Sequence, residues 1–161
     1  MSFEKQALVQ VTGSSIQSQL HSLIASAGGT IVCQTHCTFK NVQFHASSLV
    51  IKDGAILSDV NFDISGDDVG LVGVGGKLEM SRVNFAGGSV GVCAWEMNDI
   101  RADTLLFSGV RHRAMECVRC DVWLVNVRMV NLYGFQRVYD GLHMIECNTY
   151  TRDVTVSSVF P

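Results

Sequence analysis

The chain has 161 residues, a hydrophobic fraction of 47%, a charged fraction of 17% and a formal net charge of −3. That is one domain, 1–161, with ample apolar material for a core and too little basic character to grip a nucleic-acid backbone or an anionic membrane. A single proline beside fifteen glycines speaks against a disordered or Pro-rich chain.

The opening stretch MSFEKQALVQV has no basic segment leading into an apolar one, and no run approaches the roughly eighteen apolar residues of a membrane span. Six cysteines in a chain of this length, without an export signal, predict reduced thiols. An intracellular reducing compartment is therefore expected, cytoplasmic or, for a viral protein, within the virion.

Residues 15–27 carry the one helical pattern. Ser14 or Ser15 can cap it, Ile16, Leu20, Leu23 and Ile24 share one face, and Gly28-Gly29 would stop it. A helix there would cover the first coil of a solenoid.

From about residue 30 onward a repeat takes over. Two apolar residues alternate with a polar one, a two-residue step comes next, and the alternation resumes. The copies are Cys37, Phe39, Val42, Phe44; Ala55, Leu57, Val60, Phe62; Leu78, Met80, Val83, Phe85; Ile100, Ala102, Leu105, Phe107; and Val122, Leu124, Val127, Met129. A degenerate last copy has Thr149, Thr151, Val154 and Val156. Each half has the period of a strand with alternate residues inward. The step breaks that parity, as a corner would, and its second position holds Asn41, Asp59, Arg82, Thr104, Asn126 or Asp153. Asn and Asp suit a corner because they tolerate the left-handed backbone region. Taking the last apolar residue as marker, successive copies lie 18, 23, 22, 22 and 27 residues apart.

A third strand falls in each interval, at Leu49–Ile51, Val69–Val72, Val90–Cys93, Ala114–Cys117 and Leu142–Ile145. The expected fold is all-β: a single-stranded right-handed parallel β-helix of about six coils. Phe44, Phe62, Phe85 and Phe107 should stack in one ladder, extended by Met129 and Val156. No cap pattern comes after the last copy, so the last rung is expected to be open to self-association.

The segment IQSQLHSLIASAGGTIV, read as helix, paired glycines and first strand, resembles the start of pectin-lyase-like β-helix proteins. That resemblance implies the architecture over nearly the whole chain and is silent on activity. The strand and turn from Val83 to Val92, VNFAGGSVGV, is also similar to viral β-helices, namely the adenoviral early large T protein and the atadenoviral capsid knob. This second likeness implies a trimeric, non-enzymatic interaction protein.

Polysaccharide-cleaving enzymes share the fold, so catalysis has to be tested on residues. Asn61-Phe62-Asp63 and Gly66-Asp67-Asp68 resemble two polygalacturonase motifs, but they sit within one coil, and Phe62 belongs to the core ladder. No Gly-His-Gly or Arg-x-Lys is present beyond them; Arg111-His112-Arg113 is a distant echo. Asp140 lies three coils from Asp67 and Asp68, about 14 Å at strand spacing, too far for the two carboxyls of an inverting glycosidase. No catalytic residue is assigned.

Cys117-Val118-Arg119-Cys120 has zinc-like spacing, and Cys33, His36 and Cys37 could add ligands. The two groups are coils apart, so neither a metal nor a cofactor is expected. Cys93, Cys117 and Cys147, one per coil, read as an interior thiol stack. Trp95 and Trp123 read as packing on the solenoid, with no aromatic row to suggest sugar stacking.

The turn after the Phe-ladder strand varies most. It lengthens in coils two, four and five, and insertions in solenoids collect on one face. Asp67, Asp68, Arg111, His112, Arg113, Tyr133, Phe135, Arg137, Tyr139 and Asp140 are the candidate binding residues of that edge. The expected function is a non-enzymatic assembly or interaction protein: a homo-oligomer, trimeric by preference, with a protein partner or a glycan at the loop edge. The alternative is a small polysaccharide lyase or hydrolase using Asp67, Asp68, Arg111 and Arg113, or a glycan-binding module without chemistry.

Overall fold

The computed structural model describes residues 7–11, 15–16, 29–132 and 141–157. They form an all-β parallel solenoid of about five turns. That is about one turn fewer than the six coils expected from the repeat.

Two parallel sheets make up the walls. The first holds β1 (Ala7–Val11), β3 (Gly29–Cys33), β6 (Ser47–Ile51), β8 (Val69–Val74), β10 (Val90–Trp95), β12 (Arg113–Val118) and β14 (Leu142–Ile145), in that spatial order. The second runs β15 (Asn148–Ser157), β13 (Asp121–Val130), β11 (Asp99–Ser108), β9 (Lys77–Gly87), β7 (Ala55–Ile64), β4 (Cys37–Lys40) and β2 (Ser15–Ile16), with β5 (Gln43–His45) also on β7. Each expected third strand is a strand of the first sheet.

The long strands of the second sheet are bent once, at the step in the repeat. Asn41, Asp59, Arg82, Thr104, Asn126 and Asp153 all have φ between 53° and 62°. One left-handed residue turns the chain while keeping the next apolar side chain inward, so two short strands read as one bent strand. The corner foreseen from sequence is therefore present at every copy.

Inside, register stacks like on like. Phe44 pairs with Phe62, Phe62 with Phe85, Phe85 with Phe107 and Phe107 with Met129. Ring centroids are 4.6, 4.8 and 5.0 Å apart along the four phenylalanines, and adjacent planes differ by no more than 11°. Strand spacing imposes this parallel stack, and each ring is at most 1% exposed. Outside, polar side chains stack as well: Asn84 donates to Asn61 at 2.7 Å and Asn148 to Asp121 at 2.7 Å.

Two expectations concern the ends. The helix over 15–27 falls outside the described residues except at Ser15 and Ile16, which are not helical but extended, paired with Thr38 and Phe39. At the other end, β14 pairs only with β12 and β15 only with β13 among the described residues.

Candidate functional site

The loop edge is partly assembled. Gly66 turns the chain at φ 52°, and the Asp68 amide donates to the Ser65 carbonyl at 3.1 Å. The turn of the next coil, Gly87-Gly88-Ser89, is pulled tight against this one. A side chain at Gly88 would strike Ile64, since a Cβ there would lie 2.4 Å from Ile64 Cγ2. The Ser89 amide donates to the Asp68 carbonyl at 3.0 Å; the Arg111 and His112 amides then donate to Gly88 and Ser89 at 3.0 and 2.9 Å.

Because the middle turn is low, Arg111 reaches across it. Its guanidinium lies 3.2 Å from the Asp67 carboxylate and donates to the Gly66 carbonyl. Arg113 turns back to Glu116 of its own strand, 2.6 Å away. Asp67, Asp68, Arg111 and His112 are exposed and Arg113 is half-buried. These five lie along one edge of the solenoid. Residue spacing does not foresee that Asp67 is ion-paired to Arg111 and Arg113 to Glu116. Tyr133, Phe135, Arg137, Tyr139 and Asp140 lie outside the described residues.

The last rung is the second feature. Leu142, Met144, Val154 and Val156 occupy inward columns and pack on the core, yet are only half-buried. Their counterparts one rung back, Met115, Cys117, Val127 and Met129, are at most 1% exposed. A hollow of about 750 Å³ lies here, lined by Leu142, Met144, Val154, Thr149, Thr151 and Asp153 among others.

The tryptophans lie on the outer walls of the solenoid, Trp95 38% and Trp123 49% exposed, and Trp123 departs from expectation in having an aromatic neighbour. Trp123 stands beside Tyr150 of the next rung, ring centroids 4.9 Å apart and 38° tilted. Beside this pair is a shallow groove of about 510 Å³ whose lining includes Lys77, Asp99, Arg101, Asp121 and Asn148. The signal was present: Trp123 and Tyr150 fill the same position of the repeat, between its first two inward residues.

The cysteines depart further. Cys33 and Cys37 form a disulfide, with Cα atoms 6.2 Å apart, so the expectation that all six are reduced does not hold. Four residues spanning a corner bring the two within disulfide range, a local geometry that a compartment argument ignores. Cys93, Cys117 and Cys147 do not stack either. Cys93 lies opposite Glu116, and Cys117 opposite Ala94 and Met144. Cys147 instead joins Cys120 in a column of corner residues. Among the described residues, no group of three or more His, Cys, Asp or Glu is arranged to hold a metal ion.

The other described histidines are surface residues. His45 meets Asp63 at 2.6 Å, both half-exposed, and His143 is half-buried on the outer wall opposite Glu116. His21 lies outside the described residues. No helix among the described residues is long and apolar enough to cross a membrane.

The fold and these surfaces define a parallel β-solenoid. No protein-family model matches the chain, and no curated protein or solved structure matches it significantly.

Proposed function

We propose that this protein is a non-catalytic β-solenoid that acts through its surfaces, by assembling with further copies of itself. The observation that carries the reading is the last rung. Its inward side chains Leu142, Met144, Val154 and Val156 are half-buried where the same columns one rung earlier are sealed. Strand edges with unpaired N–H and C=O groups are templates for further pairing, and apolar ends favour association. Stacking another chain on this rung would continue both sheets and bury the hollow. The pectin-lyase-like likeness fits this architecture, and the viral likeness fits a trimeric subunit of a viral assembly; both belong to the proposal. Light scattering or native mass measurement across a wide concentration range tests it. Oligomers are expected for the unaltered chain and monomers for Met144→Glu with Val154→Glu. A monomer at every concentration would overturn the proposal.

A second reading rests on a different observation. The Trp123–Tyr150 pair gives two adjacent exposed aromatic faces flanked by charged and amide groups, an arrangement suited to a sugar ring. A glycan-binding module is the form of the alternative that this supports. Retention on immobilised glycans, lost in Trp123→Ala, would favour it.

A further inference from the structure

Three thiols meet at the corner between the last two rungs. Where each first-sheet strand turns into the second sheet, one residue points inward: Met97 after β10, Cys120 after β12 and Cys147 after β14. The Met97 amide donates to Cys120 Sγ at 3.4 Å, and the Cys120 amide donates to Cys147 Sγ at 3.3 Å. The Cys147 sulfur thus sits against the backbone of Cys120 in the adjacent rung. Cys117, at the inward end of β12, is near enough to Cys120 for the two thiols to perturb each other.

Access divides the three. Cys117 and Cys120 are sealed, at 0% and 2% exposure, whereas Cys147 is half-buried in the less covered last rung. An outside reagent reaches Cys147 first. The spacing suits a bond: neighbouring rungs lie about 4.8 Å apart, inside the Cα range of disulfides. An earlier rung offers a precedent at the same corner. Cys33 shares its column with Cys117, through Ile51, Gly73 and Ala94, and is bridged to Cys37 across that corner.

We propose that Cys120 and Cys147 are a reversible thiol–disulfide pair that ties the last rung to the one before it, oxidised by a low-molecular-weight disulfide of the glutathione type. In the first step the Cys147 thiolate attacks the external disulfide, forming a mixed disulfide and releasing one thiol. In the second, Cys120 attacks Cys147 Sγ, forming the protein disulfide and releasing the other thiol. Two protein thiols are oxidised, one external disulfide is reduced to two thiols, and the two protons pass to the leaving thiolates.

The surroundings suit these roles. The hydrogen bond from Cys117 lowers the Cys120 thiol, against desolvation, with help from the Met97 amide, which favours the thiolate of the resolving sulfur. Cys117 is raised by the same hydrogen bond and by burial and stays protonated as the donor. Burial raises Cys147, so the first step is the slow one and accelerates with pH. Cys147 lies in the rung that the assembly reading would cover, but the test reads a covalent link and not an oligomeric state, so the two readings fail separately.

The test uses the purified full chain, equilibrated with reduced and oxidised glutathione, then alkylated and mapped by peptide mass. A linked Cys120–Cys147 peptide, lighter by two hydrogens and lost again in excess reduced glutathione, is expected. Cys120→Ser should halt the reaction at a glutathione adduct on Cys147. Cys147→Ser, altered at the least buried of the three sites, should leave Cys120 unreactive. Cys117→Ala should retain the link but let the glutathione adduct on Cys147 build up transiently before it forms. Free Cys120 and Cys147 under oxidising conditions, a lasting adduct on Cys147 of the unaltered chain, or a Cys117–Cys120 link would each overturn the proposal.

Discussion

Arg82 lies directly over Asp59 from the neighbouring rung, its Nε and Nη2 atoms 2.5 and 2.9 Å from the two carboxylate oxygens. Both residues occupy the left-handed corner, at φ 53° and 55°. Identical backbone in adjacent rungs aims both side chains outward in parallel, so a two-pronged pair forms with little reorientation.

That pair has a pH signature. The hydrogen bond from Arg82, aided by its charge, holds the Asp59 carboxyl below its ordinary value of 3.8. A depressed carboxyl contributes stability above its unfolded-state value, and that contribution disappears as pH falls through the folded-state value. Carboxyl-carbon NMR titration should place Asp59 below the usual aspartate range and return it there in Arg82→Ala. Added salt should shrink the difference, because the pair is exposed.

The phenylalanine ladder should dominate stability. Phe85 is 0% exposed, with Phe62 and Phe107 stacked on its two faces. Phe85→Ala should cost about 3–5 kcal/mol in denaturant unfolding, as emptied aromatic sites do. Phe85→Leu should cost distinctly less, since most of the volume is retained.

Thr104 is the one β-branched residue at the corner, at φ 62°. Branching at Cβ makes the left-handed region costly, and the Thr104 hydroxyl gains only an exposed hydrogen bond to Asp103 at 3.1 Å. Thr104→Asn, matching Asn41 and Asn126 in the same column, should stabilise by roughly 0.5–1 kcal/mol. Thermal unfolding would reveal it as a raised midpoint.

Gly91 is needed for space. A Cβ there would lie 2.6 Å from both the Ala114 carbonyl oxygen and Phe107 Cε1. Gly91→Ala should therefore destabilise by about 1–3 kcal/mol through overpacking. The combination with Phe107→Leu should cost less than the sum of the two single changes, because the smaller side chain yields room.

The chain's residue pattern alone determined the solenoid. In–out alternation, the parity break at each corner and the return of phenylalanine at nearly constant intervals are local properties. Parallel stacking then converts a repeat along the chain into a column in space. The same pattern located the corner residues, because only a left-handed residue keeps the inward series running through a bend.

Tertiary structure decided which residues meet wherever coils differ in length. The long connection between β13 and β14 falls before the corner, so Cys147 lies over Cys120, 27 residues earlier, and not over Cys117 or Cys93. Likewise the low Gly87-Gly88 turn lets Arg111 reach Asp67 across an intervening coil. An insertion changes the partners of every side chain in its turn, and residue spacing does not say which way the extra residue bulges. The core ladder survives such insertions because hydrogen-bonded strand pairing re-establishes the register after each one.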